Sequence, residues 1–414
     1  MQKEIQNKGN HIVFLGETGF PYGLGAVQRM TLMAKSLSSE GCKVTVICRK
    51  GVWKNNAYAD FNKEGIFEGI HYIYTSKSIH RPKAFFSRNI EKLKGMYGEF
   101  KYLKNLKRHD EINAAIISNM SSAHLLRYRL YSFLIGFPII LNFVELASSM
   151  KGREAFLTRL NDYIYDNYFI RVVSGALPIS DKLMEYYRAV SPSKPSLKLP
   201  ILCDFEKFTF SAGKNSGIVF LYCGAASYFE LIEFVLDSFD QLKNPDQHVV
   251  LELILGGKDA ELQRARERIG KAENKGHIRL TANLAHKEIP QYYSNASALL
   301  IPLRPTLQDE ARFPHKIGEY LASGRPMITT AYGEINHYPF IDKETALVAK
   351  DYSIDSFAEK MRYVLEHPEK SKEIGLAGRQ MGLDNFDYSK HGKSLLDFCV
   401  SLDQKKKLVN FKVQ

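Results

Sequence analysis

Short, unbroken apolar runs recur along this chain, each followed by a stretch of helical periodicity, and the alternation starts twice. From Asn10 the order is "HIVFLGE" as a strand, a Gly/Pro loop "TGFPYGLGA", "VQRMTLMAKSLSSEG" as a helix closed by Gly41, and "KVTVICR" as a second strand. Strands that are apolar throughout, rather than at alternate positions, belong to parallel sheets covered on both faces. "GIHYIYT", "NAAIIS", "FPIILNFV" and "ALPIS" continue the series. After residue 210 it begins again with "GIVFLYCG", the helix "YFELIEFVLDSFDQLK", "HVVLELILGG", the helix "AELQRARERIGKAEN", "HIRLTA", the helix "KEIPQYYSNA", "SALLIPL", a further helix and "PMITTA". The pattern predicts an α/β chain of two doubly wound, Rossmann-like domains. A length of 414 residues exceeds what one core usually supports, which agrees. The join falls in "SPSKPSLKLPILCDFEKFTFSAGKNSG", where Pro, Ser, Gly and Lys cluster and the periodicity fails.

In open parallel sheets ligands bind beyond the C-terminal ends of the strands. Two such sheets facing across a cleft would hold one substrate each, the arrangement of a group-transfer enzyme. The segment best placed for this is "FPHKIGEYLASGRP", directly after the apolar run "SALLIPL". Pro314 suits a first helical turn and Gly324 a stop, which predicts a helix from Pro314 to Ser323. N–H groups near His315 to Ile317, with Lys316 and Arg312, would then form an anion site suited to a diphosphate. Glu319 shares a face with His315 and can accept hydrogen bonds from a ribose diol. The alternative for Glu319 is a carboxylate that merely stabilises a helix start, and for Lys316 a surface lysine.

"FPHKIGEYLASGRPMITT" resembles the donor-binding segment of family-four retaining glycosyltransferases with the two-domain GT-B fold, in the version with Phe-Pro-x-Lys before Glu-Tyr-Leu-Ala-x-Gly-x-Pro. "GLGAVQRMTLMAKSLSSEGCKVTVIC" looks like the N-terminal glycine loop, first helix and second strand of that family. "LKLPILCDFEKF" looks like the lead into the second domain, and "NFDYSKHGKSLLDFCVSL" like the helix that closes back on the first. The resemblance implies an acceptor-binding domain over residues 1–200, a nucleotide-sugar-binding domain over 201–385 and a closing helical segment over 386–414. It implies that Glu319 binds the donor ribose, and that Arg312, Phe313, Pro314, His315, Lys316 and Ile317 hold the diphosphate. Gly23, Gly25 and Ala26 would lie near the donor phosphates and the transferred sugar. Each glycine is equally read as a tight strand-to-helix turn.

Two positions depart from the pattern. Many relatives carry a second glutamate where this chain has Ala311, which leaves sugar recognition to Asp309, Glu310 or Arg312. Relatives often have an Arg and a Lys after the strand "GIVFLYCG", and none lies between Tyr222 and Leu231 here, so Arg304, Arg312 and Lys316 must supply the positive charge. On the acceptor side the loop after "FPIILNFV" offers Glu145 as the group that takes a proton from, or orients, the acceptor hydroxyl. The alternative is an ion-paired glutamate. His124 and His337 are weaker candidates, since a lone histidine is usually structural.

The sequence has no Asp-x-Asp and no His-Glu-x-x-His spacing, so no metal or other cofactor is expected, and Lys316 with the helix start balances the diphosphate. The five cysteines are scattered without a paired spacing and read as buried thiols in a reducing cytosol. The polar start "MQKEIQNKGN" lacks a signal-peptide core, and no apolar run is long enough to span a bilayer, which predicts a cytoplasmic protein. A net charge of +12 is concentrated between Lys77 and Arg108, with aromatics interleaved. That composition suits an anionic membrane surface or a solvated helix face; nucleic acid is excluded as a partner for want of a binding motif. The expected function is transfer of a sugar from a UDP- or GDP-sugar to a glycan or lipid-linked acceptor in bacterial surface polysaccharide synthesis. The rivals are a catalytically silent GT-B partner protein and a nucleotide-sugar epimerase.

Overall fold

The structure is a computed structural model that describes residues 9–16, 19–23, 25–52, 62–109, 112–208, 217–243, 245, 246 and 248–411. It forms two compact units, one of Met1–Leu202 with Tyr388–Gln414 and one of Cys203–Asp387.

The first unit runs β1 (His11–Leu15), α1 (Gly25–Ser39), β2 (Lys43–Cys48), β3 (Glu64–Phe67), β4 (Ile70–Tyr74), α2 (Phe85–His109), β5 (Ala114–Ile117), α3 (Ser122–Ile135), β6 (Ile139–Phe143), α4 (Phe156–Asn167), β7 (Gly175–Pro178) and α5 (Asp181–Val190). Its seven-stranded sheet has the order β3-β4-β2-β1-β5-β6-β7 and is parallel apart from the β3–β4 pair. Periodicity does not reveal β3, because "EGIF" is a short edge strand with every residue at least partly exposed. Val27, Met30, Ala34 and Leu37 recur at helical spacing on α1 and pack into the core beside Ile12, Phe14, Val44 and Val46. Val27, Met30 and Leu37 each contribute about 1.5–3 kcal/mol by leaving water. Arg29, on the same helix, is 1% exposed and makes three bonds within the unit, to Asn142 Oδ1 (3.0 Å), Pro200 O (2.6 Å) and Leu199 O (2.8 Å). Burial alone pushes it down to about 9, and the three acceptors satisfy the guanidinium without an acid.

The second unit runs β8 (Ile218–Ala225), α6 (Phe229–Asp240), β9 (Val249–Gly256), α7 (Asp259–Gly270), β10 (Ile278–Ala282), α8 (Ile289–Asn295), β11 (Ala298–Ile301), α9 (Leu307–Ala311), α10 (Lys316–Ala322), β12 (Met327–Thr330), β13 (Leu347–Ala349), α11 (Ile354–Glu366) and α12 (Pro368–Phe386). Six parallel strands take the order β10-β9-β8-β11-β12-β13. The chain then returns to the first unit as α13 (Gly392–Phe411), which packs on α1 and β5. The doubly wound pair is the expected fold. All five cysteines are buried free thiols.

α2 approaches the sheet through Gly95, where a Cβ would lie 1.9 Å from the carbonyl oxygen of Arg49. A side chain is excluded there by backbone, which cannot move aside as a flexible side chain would. Gly95→Ala is expected to cost about 1–3 kcal/mol, seen as a lower urea midpoint at unchanged m-value. An unchanged midpoint would mean that α2 shifts without cost.

Candidate functional site

Each sheet has one point at which the winding direction reverses. In the second unit β8 is flanked by β9 on one side and by β11 on the other, so the C-terminal ends of β8 and β11 bound a crevice of the kind that binds ligands. The loop after β11, α9 and α10 stand at this end of the sheet because they follow β11 directly.

Three side chains of α10 and one of α8 meet Cys223 of β8 or one another there. Lys316 Nζ, at the start of α10, lies 3.4 Å from Cys223 Sγ on β8. The Cys223 N–H donates to Tyr320 Oη at 3.1 Å. Tyr293 on α8 donates to Glu319 Oε2 at 3.2 Å, and its ring stands edge-on to that of Tyr320 with centroids 5.0 Å apart. Burial disfavours the Lys316 ammonium, but Cys223 and Glu319 outweigh it and hold Lys316 above the ordinary lysine range. It is therefore a fixed cation at neutral pH. Burial, followed by the Glu319 charge, raises Tyr293 well above its ordinary range, so its hydroxyl stays a donor to the carboxylate.

Helix α10 is shorter than the sequence predicts, seven residues from Lys316 to Ala322. Before it, Ile317 N–H donates to Pro314 O and Gly318 N–H to His315 O, both at 3.0 Å. The Ile317 amide is thus bonded inside the turn. Phe313 is buried with its ring stacked on Tyr338 (5.6 Å) and edge-on to Phe386 (5.5 Å), so it anchors the segment. Pro314 and His315 are half-buried.

The arginines are also less free than expected. Asp309, with a fully buried side chain, accepts from Arg304 Nε at 2.8 Å and from the Arg304 N–H at 2.9 Å, and pairs with Arg312 Nη2 at 2.7 Å. Arg304 further meets Glu230 at 3.2 Å. Arg312 Nη1 donates to Tyr228 Oη at 2.9 Å. Asp309 is therefore an internal anchor and not a sugar contact, and Arg304, 5% exposed, is neutralised in place. Ala311 is fully buried at the end of α9, while Glu310 is half-buried. Lys316 is the cation of this group that faces Glu319 and Cys223 rather than Asp309.

In the first unit the reversal lies between β1 and β5. A cavity of about 530 Å³ opens there, with Gly16, Ser118, Asn119, His124, Arg153 and Asn161 in its lining. Arg153 forks onto Asp162 at 2.6 and 2.5 Å. That hydrogen bonding, with Asp166 and Glu145 adding charge, holds Arg153 above the ordinary arginine range against its partial burial. His124 Nε2 accepts from Arg49 Nη2 at 3.1 Å. Burial, then Arg49 and Arg127, lowers His124 to about 4, so it is neutral and a poor base at pH 7. Glu145 is half-buried just after β6 and does not line this cavity. His337 is exposed on the turn Gly333–His337 of the second unit.

Gly23 precedes α1, and Gly25 and Ala26 begin it. A Cβ on Gly23 would lie 2.4 Å from Val27 Cγ2, so packing alone demands glycine. A Cβ on Gly25 would meet nothing within 4 Å, so packing within the protein makes no such demand there. Tyr293, Cys223 and the cavity's Arg153 and Asn161 escape sequence reasoning, since no spacing links them to the "FPHK" segment or to Glu145.

Residues 204–381 match the family described as glycosyl transferases group 1, a span inside the second unit. Solved structures similar along the whole chain include sucrose-phosphate synthase from Thermosynechococcus elongatus, with TM-score 0.69 at 16% identity over 98% of this chain and 100% of that one. Anabaena HepE in complex with UDP and glucose gives TM-score 0.68 at 14% identity over 95% and 100%. The fold is GT-B, and the stretch of the second unit that matches the family contains the Lys316–Glu319 segment. Trehalose synthase of Pyrococcus horikoshii is 35% identical over 86 residues. Those residues are 21% of this chain and 20% of that protein, so the chain matches about a fifth of the length of its curated relative.

Proposed function

We propose that the chain is a retaining glycosyltransferase that takes a sugar from a UDP-sugar and places it on a lipid-linked glycan in bacterial surface polysaccharide synthesis. The observation that carries the donor half is the Lys316–Cys223–Tyr320 contact set with Glu319 beside it, at the reversal point of the second sheet. A carboxylate there suits a ribose diol, and the fixed ammonium suits the diphosphate that leaves. UDP is the preferred nucleotide because a protein of the same fold is described in complex with it.

In the reaction the bond from the anomeric carbon to the diphosphate oxygen breaks and the acceptor oxygen bonds to the same carbon from the same face. The acceptor proton passes to the departing phosphate, so no protein nucleophile is used. Lys316 stabilises the charge that grows on the leaving group. Glu145, after β6, acts on the acceptor pocket through its charge on Arg153, which lines it, and no metal ion takes part. The acceptor enters the cavity of the first unit, whose Ser, Asn and Arg lining suits hydroxyls.

Calorimetry with UDP, GDP and ADP tests the donor half. Selective binding of UDP is expected, weakened about 10- to 100-fold by Glu319→Ala, the value of a hydrogen bond to a charged group. A folded sample that binds none of the three would overturn the assignment in favour of a catalytically silent GT-B partner.

A further inference from the structure

Among the described residues, nineteen large apolar or aromatic side chains are exposed, and thirteen of them lie on α2, α3 and α4, five on the first and four on each of the others. On α2 they include Phe86, Ile90, Leu93 and Tyr97, a 4-3-4 spacing that makes one stripe. On α3 they are Leu126, Leu130, Phe133 and Leu134, and on α4 Phe156, Leu157, Leu160 and Tyr163, each again at helical spacing. Phe86, Phe133 and Phe156 are 79%, 74% and 77% exposed. α3 packs against both α2 and α4, so the stripes belong to adjoining helices. Apolar exposure on this scale marks a docking surface rather than ordinary scatter.

The charges on these helices select the occupant. Their acids are Glu91, Glu99, Asp162 and Asp166, and all four are buried. Lys92, Lys94, Lys101, Lys104, Arg129 and Arg159 are exposed. The outer surface is thus apolar stripes set among cations, with no exposed acid on any of the three helices. No helix among the described residues is long and apolar enough to cross a membrane.

We infer that α2, α3 and α4 together form a monotopic docking face for an anionic membrane, the stripes entering the boundary between headgroups and acyl chains and the cations holding lipid phosphates. The expectation from sequence was confined to the basic segment of α2; the face extends it to two helices that carry mostly apolar side chains. Leu157 belongs both to the α4 stripe and to the lining of the first unit's cavity. A glycan held on a lipid phosphate would therefore reach the cavity along the membrane plane, a step that rests on the glycosyl-transfer reading, whereas the docking itself does not.

The test is co-sedimentation of the full chain with vesicles of phosphatidylcholine alone and of equal parts phosphatidylcholine and phosphatidylglycerol. Wild type is expected to partition at least about tenfold better into the anionic vesicles. The triple variant Leu93→Ser, Phe133→Ser, Phe156→Ser is expected to lose about a hundredfold of that partition, because three exposed side chains no longer enter the lipid. Lys92→Glu with Lys94→Glu would lose about tenfold. Wild type left in the supernatant, or the triple variant sedimenting as wild type does, would overturn the inference. So would a concentration-dependent dimer that the triple variant abolishes while vesicles bind neither protein, since a second copy would then cover the face. UDP binding measured on the same samples separates this outcome from failure of the donor site, and unchanged thermal melts show that the variants fold.

Discussion

Asp309→Ala is expected to destabilise the second unit by about 3–5 kcal/mol, the cost of leaving buried cations without their counter-charge. Arg304 is 5% exposed and donates three of its hydrogen bonds to Asp309, and Arg312 depends on the same carboxylate. Asp309→Asn keeps two of the acceptor positions and should cost less. The loss is also pH-dependent, with a definite sign. Burial raises Asp309, but the Arg304 hydrogen bond and the Arg312 charge outweigh it, so the carboxyl is held below the usual aspartate range. Its stabilisation is then fully present above the unfolded value of about 3.9 and is lost as pH falls through the lower folded value. Urea titrations of wild type and Asp309→Asn should differ by a constant amount from neutral pH down to about 5 and converge only in stronger acid. A difference that disappears near neutrality would show that the anchor is not ionic.

Lys316→Ala is expected to lower kcat by about a hundred- to a thousandfold, the range for removing one preorganised charge donor from a developing anion. If the ammonium acts on the departing diphosphate, kcat and kcat/KM for the donor fall together, because the interaction strengthens only in the transition state. Slow hydrolysis of a nucleotide sugar of the proposed UDP-linked class provides the readout without an identified acceptor. A rise in KM at constant kcat would instead make Lys316 a ground-state binder of phosphate. Lys316→Arg separates charge from shape, since the guanidinium keeps the charge but does not reproduce a compact ammonium beside Cys223.

The parts of this molecule that can be read in the sequence are those whose signal is local. An apolar run such as "VVLELILG" is a strand of a parallel sheet wherever it lies, because both of its faces must be covered. Lys316 and Glu319 are legible because they sit three residues apart beside a proline that starts a turn. Their partners are not, since Cys223 and Tyr293 arrive from β8 and α8 only once the sheet has formed. Asp309 and Glu310 are neighbours of like charge in the sequence, yet one is sealed against Arg304 and the other is half-exposed. Nor does periodicity distinguish the α3 stripe from a core stripe, because leucines at helical spacing look the same whether water or protein lies beyond them.

The first unit's core contains Leu395, Cys399 and Leu402 of α13 beside Ile12, Val44 and Leu177. Asn113 reaches Asp403 at 3.4 Å, and Ser36 donates to Tyr388 O at 2.6 Å, across 290 and 352 residues. The unit that emerges first from the ribosome is therefore the one completed last. Its sheet must wait, with the α13 docking site open, while Cys203–Asp387, a continuous segment, is made and can close on itself. Order of synthesis and order of completion are inverted in this chain, and the interval between them is the period in which the nascent first half depends most on protection from aggregation.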